Sequence, residues 1–381
     1  MRLHIFNPEH DMALAADRER FTAPHAGRRM RADLGYIPAL WADDGDMVLV
    51  DDVEAALESV RHLGKYAHDV MFVTLDDLTD FERGGNEFGD GFKIEPWGWN
   101  RTLVRQLSDA ANGLVEYMPD SETLASIRRL SNRRFAAENL LPHLVGDCDG
   151  TVGASVYCSS VEDALAAINR NSASVLKAPW SCSGRGVRYV QEGFHDQGQL
   201  LGWIRNVVDR QHGIMVEPLY PKVYDFGMEF MAHADGSIEY LGLSLFDTRG
   251  SAYMGSLCAT ERDKRNILSH YVDLRLLDSV CHRICRVLSP MMQGIYDGPF
   301  GVDMMAVAKT GIGVSVTDCV ADGFLLHPCV ELNLRRTMGH VALALTPTDF
   351  EPQRPMTIYY ADKYRLRVQN INDNLLNTGL V

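Results

Sequence analysis

Between residues 329 and 340 the chain reads Cys-Val-Glu-Leu-Asn-Leu-Arg-Arg-Thr-Met-Gly-His, and this stretch restricts the possible folds more than any other. Val330, Leu332 and Leu334 alternate with Glu331, Asn333 and Arg335. Side chains two apart on a strand share a face. The alternation therefore predicts a strand with one apolar side packed in a core. Its other side carries a carboxylate, an amide and a guanidinium in a row. Carboxylate and amide oxygens suit a hard cation such as Mg²⁺. An arginine two residues on suits a phosphate or carboxylate beside that cation. The solvated face of an edge strand has the same pattern, so the residues upstream must decide.

At 381 residues the chain is too long for one simple core, and two or three subdomains are expected. A hydrophobic content of 46% with 23% charged residues is that of an ordinary soluble protein. The formal net charge of −14 argues against general affinity for nucleic acid or for anionic membranes, while leaving room for a local basic pocket. The opening residues, Met1-Arg-Leu-His-Ile-Phe-Asn-Pro, do not read as a signal peptide. No apolar run reaches the roughly 18 residues of a membrane span. Cysteines are scattered without paired CxxC spacing. Cys281 and Cys285, four apart on a predicted helix, read as core rather than as zinc ligands. Reduced thiols and a cytoplasmic location are expected.

Strands alternate with helices at the start of the chain. Residues 2–6, 46–51 and 69–75 read as strands, 53–63 as a helix, and 80–93 as an exposed loop rich in Gly, Asp and Glu. Residues 94–100 end a short strand and open a helix over 101–111. This order predicts a parallel α/β domain. Asn7, Glu9, His10 and Asp11 fall just beyond the end of the first strand, where open sheets bind ligands. Asp11 is equally suited to capping the helix at 12–16. Trp97 and Trp99 either line a pocket or plug the sheet edge.

Further on, 119–141 reads as one basic helix. Strands are expected over 151–158, 174–177, 186–191, 214–216, 224–232, 238–246, 299–307 and 314–318, and helices over 161–169, 199–208, 269–288 and 338–345. The residues after Pro347 read as peripheral.

Three further pieces carry chemistry. At Val175–Val187 a strand ends in Lys177, and a Ser/Gly/Arg loop containing Ser183, Gly184 and Gly186 follows. Glycines let backbone N–H groups approach phosphate oxygens, and a lysine supplies a point charge. A hairpin with a glycine-rich turn has the same composition. In Met215-Val216-Glu217-Pro218-Leu219 a buried strand leaves through one acid; Glu217 can accept from an adenine amino group and the Leu219 backbone can pair with a ring nitrogen. An ordinary strand end is the alternative. In Gly298–Met305 an acid, Asp303, interrupts an apolar strand and requires a partner or a cation.

Lysine with a Ser/Gly loop, an acid at a hinge, Asp on a strand and then Glu-x-Asn: in this order the chain resembles the ATP-grasp superfamily of the carboxylate–amine/thiol ligase type, over about residues 120–345. The resemblance implies a parallel N-terminal α/β (pre-ATP-grasp) domain at 1–118 on the substrate side, followed by a two-subdomain ATP-grasp fold. The small subdomain with a helical lead-in would span 119–216 and the catalytic subdomain 217–350, with 351–381 a peripheral tail. It implies Lys177, Ser183, Gly184, Gly186, Glu217 and Leu219 at ATP, with Arg133 as an earlier basic contact and Arg134 as its rival. Asp303, Glu331 and Asn333 would be Mg²⁺ (or Mn²⁺) ligands, and Asp225 or Glu229 would contact ribose. Arg335 would face the reacting group together with Lys177. Asn7, Asp11, Asn100 and Arg249 would join Arg335 at the substrate, although Arg249 also reads as a solvated loop residue. Ligases of the D-alanine type carry Pro-Gly after Glu-x-Asn where this chain has Arg335-Arg336-Thr337, so the substrate corner departs from theirs. The implied activity joins a small carboxylate to an amine through an acyl phosphate, releasing ADP and phosphate. A small-molecule kinase and a nucleotide-binding regulatory protein are the alternatives. Nucleic acid and membrane are not expected as partners, and homo-oligomerisation stays open.

Overall fold

A computed structural model describes residues 1–146, 148–181, 186–191, 197–249, 252–309 and 323–369. The chain divides into two compact units. Unit 1 takes Met1–Arg128, Met254–Thr260 and Arg335–Val381; unit 2 takes Arg129–Tyr253 and Glu261–Leu334. Parallel and antiparallel sheets are both present, so the chain is of mixed α/β and α+β class. Among the described residues, no helix is long and apolar enough to cross a membrane.

The chain begins with β1 (Arg2–Ile5), α1 (His10–Ala16), α2 (His25–Leu34), β2 (Met47–Leu49), α3 (Val53–Val60), β3 (Met71–Val73), α4 (Leu75–Arg83), β4 (Lys93–Pro96), α5 (Arg101–Ala110) and α6 (Ser121–Leu130). The strands form a parallel sheet in the order β3-β2-β1-β4. Its central strand is buried nearly throughout, as a parallel sheet covered on both faces requires. The sequence grows outward from β1 in both directions. A crevice is therefore expected beyond the carboxyl ends of β1 and β4, where strand order reverses.

The stretch 80–93 is not simply an exposed loop. α4 runs to Arg83, and Phe88 and Phe92 are buried in the core with Leu107 and Leu114. Their rings pack in a row with Phe81 and Tyr117, with centroids 4.9–5.2 Å apart between successive members. Charged neighbours concealed two aromatic anchors. Trp97 is also core, lying edge-on to Phe6 at 4.9 Å.

Next come α7 (Arg133–Asn139), α8 (Leu141–Val145), β5 (Val156–Cys158), α9 (Val161–Ile168), β6 (Ser174–Lys177), β7 (Val187–Val190), α10 (Gln197–Gln211), β8 (Ile214–Pro218), β9 (Lys222–Ala232), β10 (Ile238–Arg249), β11 (Ala252–Cys258), α11 (Glu261–Leu268), α12 (Leu274–Met292), β12 (Gly298–Ala308) and β13 (Phe324–Asn333). In unit 2, β5-β8-β6-β7 form an antiparallel sheet, packed through Leu176 and Val216 against Ala164 and Ile204 of α9 and α10. A second antiparallel array runs β13-β12-β9-β10.

One long predicted helix is in fact broken by a cap, and another starts later than expected. Asp273 accepts from Arg275 N–H (2.7 Å) and starts α12, so the helix predicted at 269–288 begins at Leu274 and continues to Met292. Asn132 accepts from Arg134 N–H (2.8 Å) and starts α7. That break makes Arg133 the first residue of a helix rather than one basic residue in mid-helix. The predicted strand at 314–318 lies outside the described residues.

The chain closes with α13 (Met338–Ala344), β14 (Arg354–Tyr360) and β15 (Tyr364–Val368). The residues after Pro347 are thus not merely peripheral. β14 pairs with β11 through Ser256, Leu257 and Cys258, and with β15 through a hairpin. Tyr364 N–H donates to Asp33 on α2 (2.9 Å). Met356 is fully buried. Met356→Ala is accordingly expected to cost about 2–5 kcal/mol, the usual range for emptying a buried methionine site. Urea unfolding of the full chain measures this, and a change below about 0.5 kcal/mol would restore the peripheral assignment.

Candidate functional site

Unit 2 gathers polar groups on one face of the β13-β12-β9-β10 array. Asp303 stands opposite Glu331 on β13 and Gly227 on β9, and Gly301 stands opposite Asn333 and Glu229. Residues opposite each other in antiparallel register share a face. Glu229, Asp303, Glu331 and Asn333 therefore lie on one side, with Phe230, Phe300, Val302 and Leu332 on the other. The alternation of Glu331 and Asn333 with Leu332 holds as read. Glycine keeps the middle of the polar face open: a Cβ at Gly227 would sit 3.0 Å from Ser244 Oγ and 3.5 Å from Asp303 Oδ1. Asn333 Nδ2 donates to Asp303 Oδ2 (3.1 Å), and Ser244 Oγ donates to the buried Glu229 (2.8 Å). The register shifts just after Asp303, a bulge of the kind that re-aims a side chain.

Two cations reach β13 at consecutive residues. Lys177, the last residue of β6, places Nζ 2.6 Å from Glu217 Oε2 and donates to the Val330 carbonyl at 3.1 Å. Glu217 also accepts from Ser155 Oγ (3.0 Å). Arg133 donates to the Ala178 carbonyl (2.7 Å), to Ser181 Oγ (2.8 Å) and to Glu331 Oε1. Lys177 and Glu217 are both buried, so removing one partner would leave an uncompensated charge at a cost of about 3–5 kcal/mol.

Gly186 closes the base of the loop that Lys177 begins. Its carbonyl accepts from Ala178 N–H (2.8 Å), and a Cβ there would lie 2.3 Å from Ser181 Cβ. Ser183 and Gly184 lie outside the described residues. Leu219 N–H already donates to the Ala173 carbonyl (3.0 Å), so the donor that an adenine pairing requires is engaged. Asp225 is held by Lys222 and Thr248 near the start of β9, whereas Glu229 is deeply buried. Arg249 ends β10 with an exposed side chain.

Among the described residues, no three His, Cys, Asp or Glu side chains gather so as to hold a metal ion. The oxygen donors nearest that task are two carboxylates and an amide. Glu331 is committed to Arg133 and Asp303 to the Asn333 amide nitrogen. Amide orientation is set by neighbours, and turning Asn333 over presents its oxygen beside Asp303. The resulting carboxylate and amide oxygens fit Mg²⁺.

Unit 1 holds the remaining residues named from sequence, and they bond one another. Arg335 forks onto Asp11, with Nε 3.0 Å and Nη2 2.8 Å from Oδ2. Asp11 therefore does not cap α1, whose N-terminus has no side-chain cap. Asn7 clasps Gly98 in both directions, donating to its carbonyl (2.9 Å) and accepting from its N–H (3.3 Å). Asn100 caps α5 through Leu103 N–H (3.0 Å) and lies 3.2 Å from His10 Nδ1. Arg336, which the sequence reading passed over, donates its N–H to the Trp97 carbonyl (2.8 Å) and lays its guanidinium 4.4 Å over the Trp41 ring. Ser155 and Ser181 were likewise missed as partners, because isolated serines carry no spacing signal.

No protein-family model matches the chain, and no curated protein matches it. Among solved structures it is similar to N5-carboxyaminoimidazole synthetase of Staphylococcus aureus in complex with ADP. That match has 11% identity over 94% of this chain and 82% of the other, with a TM-score of 0.46. It is similar to biotin carboxylase of Campylobacter jejuni at 12% identity over 94% of this chain and 75% of that one, with a TM-score of 0.48. A putative ATP-grasp superfamily protein of Archaeoglobus fulgidus gives 13% identity, coverages of 97% and 98%, and a TM-score of 0.43.

Two buried histidines set a pH dependence. Burial, with the Lys177 charge adding to it, lowers the His327 pKa to about 3. Burial lowers the His10 pKa to about 4. Both values lie below that of an unfolded histidine, near 6.5. Above that value the two rings are neutral folded or unfolded, and stability is not taxed by them. As pH falls below it, the unfolded chain takes up protons that the native chain refuses. Stability should then drop by about 1.4 kcal/mol per pH unit for each ring, down toward each folded pKa. Denaturation at pH 7, 6 and 5 measures the slope, and His327→Gln should remove its share. Gly186→Ala, which drives a methyl into Ser181, should cost about 1–3 kcal/mol, read as a lower melting temperature.

Proposed function

We propose that the chain is an ATP-grasp enzyme whose unit 2 binds Mg²⁺–ATP and whose reaction activates a small carboxylate for attack by an amine. The observation that carries this reading is the arrival of Lys177 and Arg133 at successive residues of β13, beside Asp303, Glu331 and Asn333 on one face. Two guanidinium or ammonium groups facing a pair of acids suit a polyphosphate with its cation. An ordinary polar sheet edge would not require all of them.

In this reading Asp303, Glu331 and Asn333 would hold Mg²⁺, which would supply charge neutralisation for the phosphates. Arg133, now tied to Glu331, would exchange that acid for a phosphate oxygen. Lys177 would act as a fixed charge, held in place by Glu217. Together these groups would offset negative charge building on the transferred phosphoryl group. A substrate carboxylate oxygen would attack the γ-phosphorus, and ADP would leave. The amine nitrogen would then add to the acyl carbon of the acyl phosphate, expelling phosphate and releasing its proton to solvent. Adenine would have to be read by Glu217 and by groups other than Leu219 N–H. Arg335, with two nitrogens on Asp11, enters as a positioning residue for its segment rather than as a free substrate clamp.

Saturating Mg²⁺–ATP should stabilise the protein by about 2.7 kcal/mol at a hundred times Kd. ATP with excess EDTA should do much less. Glu331→Gln should lose most of the Mg²⁺-dependent part and, once substrates are found, all but a per cent or so of turnover. A phosphate-release screen that pairs small carboxylates with amines separates ligase from kinase: release requiring both partners supports the ligase, and a stable phosphorylated product formed without an amine supports the kinase. No thermal shift with Mg²⁺–ATP would remove the reading altogether.

A further inference from the structure

Unit 1 contains a cavity of about 570 Å³, within the range of sites for small metabolites. Asn7 and Asn100 on its lining follow β1 and β4, so it occupies the crevice where the strand order reverses. Most polar groups of its lining are already satisfied, although Glu9 Oε2 is buried without a hydrogen-bond partner among the described residues. Asn7 is spent on Gly98, Asn100 on Leu103 and His10, and Thr102 Oγ1 on the Arg18 carbonyl (2.8 Å). Arg31 is shared between Glu9 (3.1 Å) and Gln106 (3.2 Å). Arg29 is bound to Asp33 (2.9 Å). These charges are therefore paired and this part of the lining is close to neutral.

The first turn of α2 differs. Arg28 uses only Nε, on the Ala23 carbonyl (3.1 Å), and its two terminal nitrogens have no partner among the described residues. His25, one turn earlier and also on the lining, makes no hydrogen bond or ion pair among them. Both stand in the first turn of a ten-residue helix, where the backbone dipole also favours negative charge. Phe21 and Leu75 supply an apolar wall. Asp51, exposed just beyond β2, is the one lining acid not tied to a cation among the described residues, which places an anionic group on the α2 side.

We propose that this cavity binds a small molecule through a carboxylate or phosphate group seated on Arg28 and His25, with its apolar body against Phe21 and Leu75. The site belongs to unit 1 residues alone. If the ligase reading holds, it would supply the anchor for the non-reacting end of a substrate.

The full chain would be titrated by calorimetry at low salt with phenylacetate, phenyl phosphate and neutral 2-phenylethanol. At least one anion should bind and the alcohol should not; which anion binds identifies the head group. Arg28→Gln, a change at an exposed residue, should weaken binding tenfold or more with the melting temperature within a few degrees of wild type. Ala32→Trp, which fills the cavity and leaves the guanidinium in place, should abolish it. Glu331→Gln should bind the anion normally while losing its response to Mg²⁺–ATP, so this site and the nucleotide reading fail separately. Binding of neither anion to the wild type, undiminished binding by Arg28→Gln, or equal binding of the alcohol would each overturn the proposal.

Discussion

A single guanidinium holds the unit 2 site together. Arg133 ties the start of α7 to the Ala178 carbonyl, to Ser181 and to Glu331 on β13. A planar fork with five fixed donors satisfies three partners from two chain segments in one geometry. Its position depends on Asn132, whose cap breaks the helical lead-in and makes the arginine a first-turn residue. With Glu331 held in this way, Asp303 and Asn333 pair beside it without leaving a bare acid in a half-buried face.

The same logic recurs wherever charge is buried. Lys177 faces Glu217, Glu229 is capped by Ser244, and Arg335 is forked onto Asp11. Buried charges are tolerated when paired and hydrogen-bonded. In unit 2 the pairs are also of a kind that a ligand could rearrange, since each acid there is held by a cation or donor that a phosphate or a metal could replace. In unit 1 the polar residues chiefly bond one another, and Arg28 on α2 keeps its terminal nitrogens without a partner among the described residues.

Much of this was legible in the sequence, for identifiable reasons. Period-two alternation fixed the face of Glu331 and Asn333, because a one-residue slip would have buried both. Lys177 was visible as a charge at the end of a buried run. What stayed hidden lacked a local signal. Phe88 and Phe92 sit among Gly and acidic residues, so composition outweighed two aromatics. Ser155 and Ser181 act only through partners distant in sequence. The break at Asn132 and the later start at Asp273 were written in capping residues but overridden by helical periodicity. Strand β14 contains Pro355, which suggested a tail. The α2 cavity arises from segments that only the fold brings together.

The composition of unit 1 from three separate stretches has a consequence for how the protein is made. Its parallel sheet lies within the first hundred residues, yet β11, β14 and β15 are supplied by the middle and the end of the chain. On the ribosome, unit 2 has all its strands before unit 1 does. The segment that starts folding first is thus the last to finish, and until Met356 and its neighbours arrive, the edge of β11 that will receive β14 is unfilled. Such late, long-range pairing is slow and leaves a strand edge open to wrong partners. A nascent chain stalled near residue 345 would be the species most in need of a chaperone.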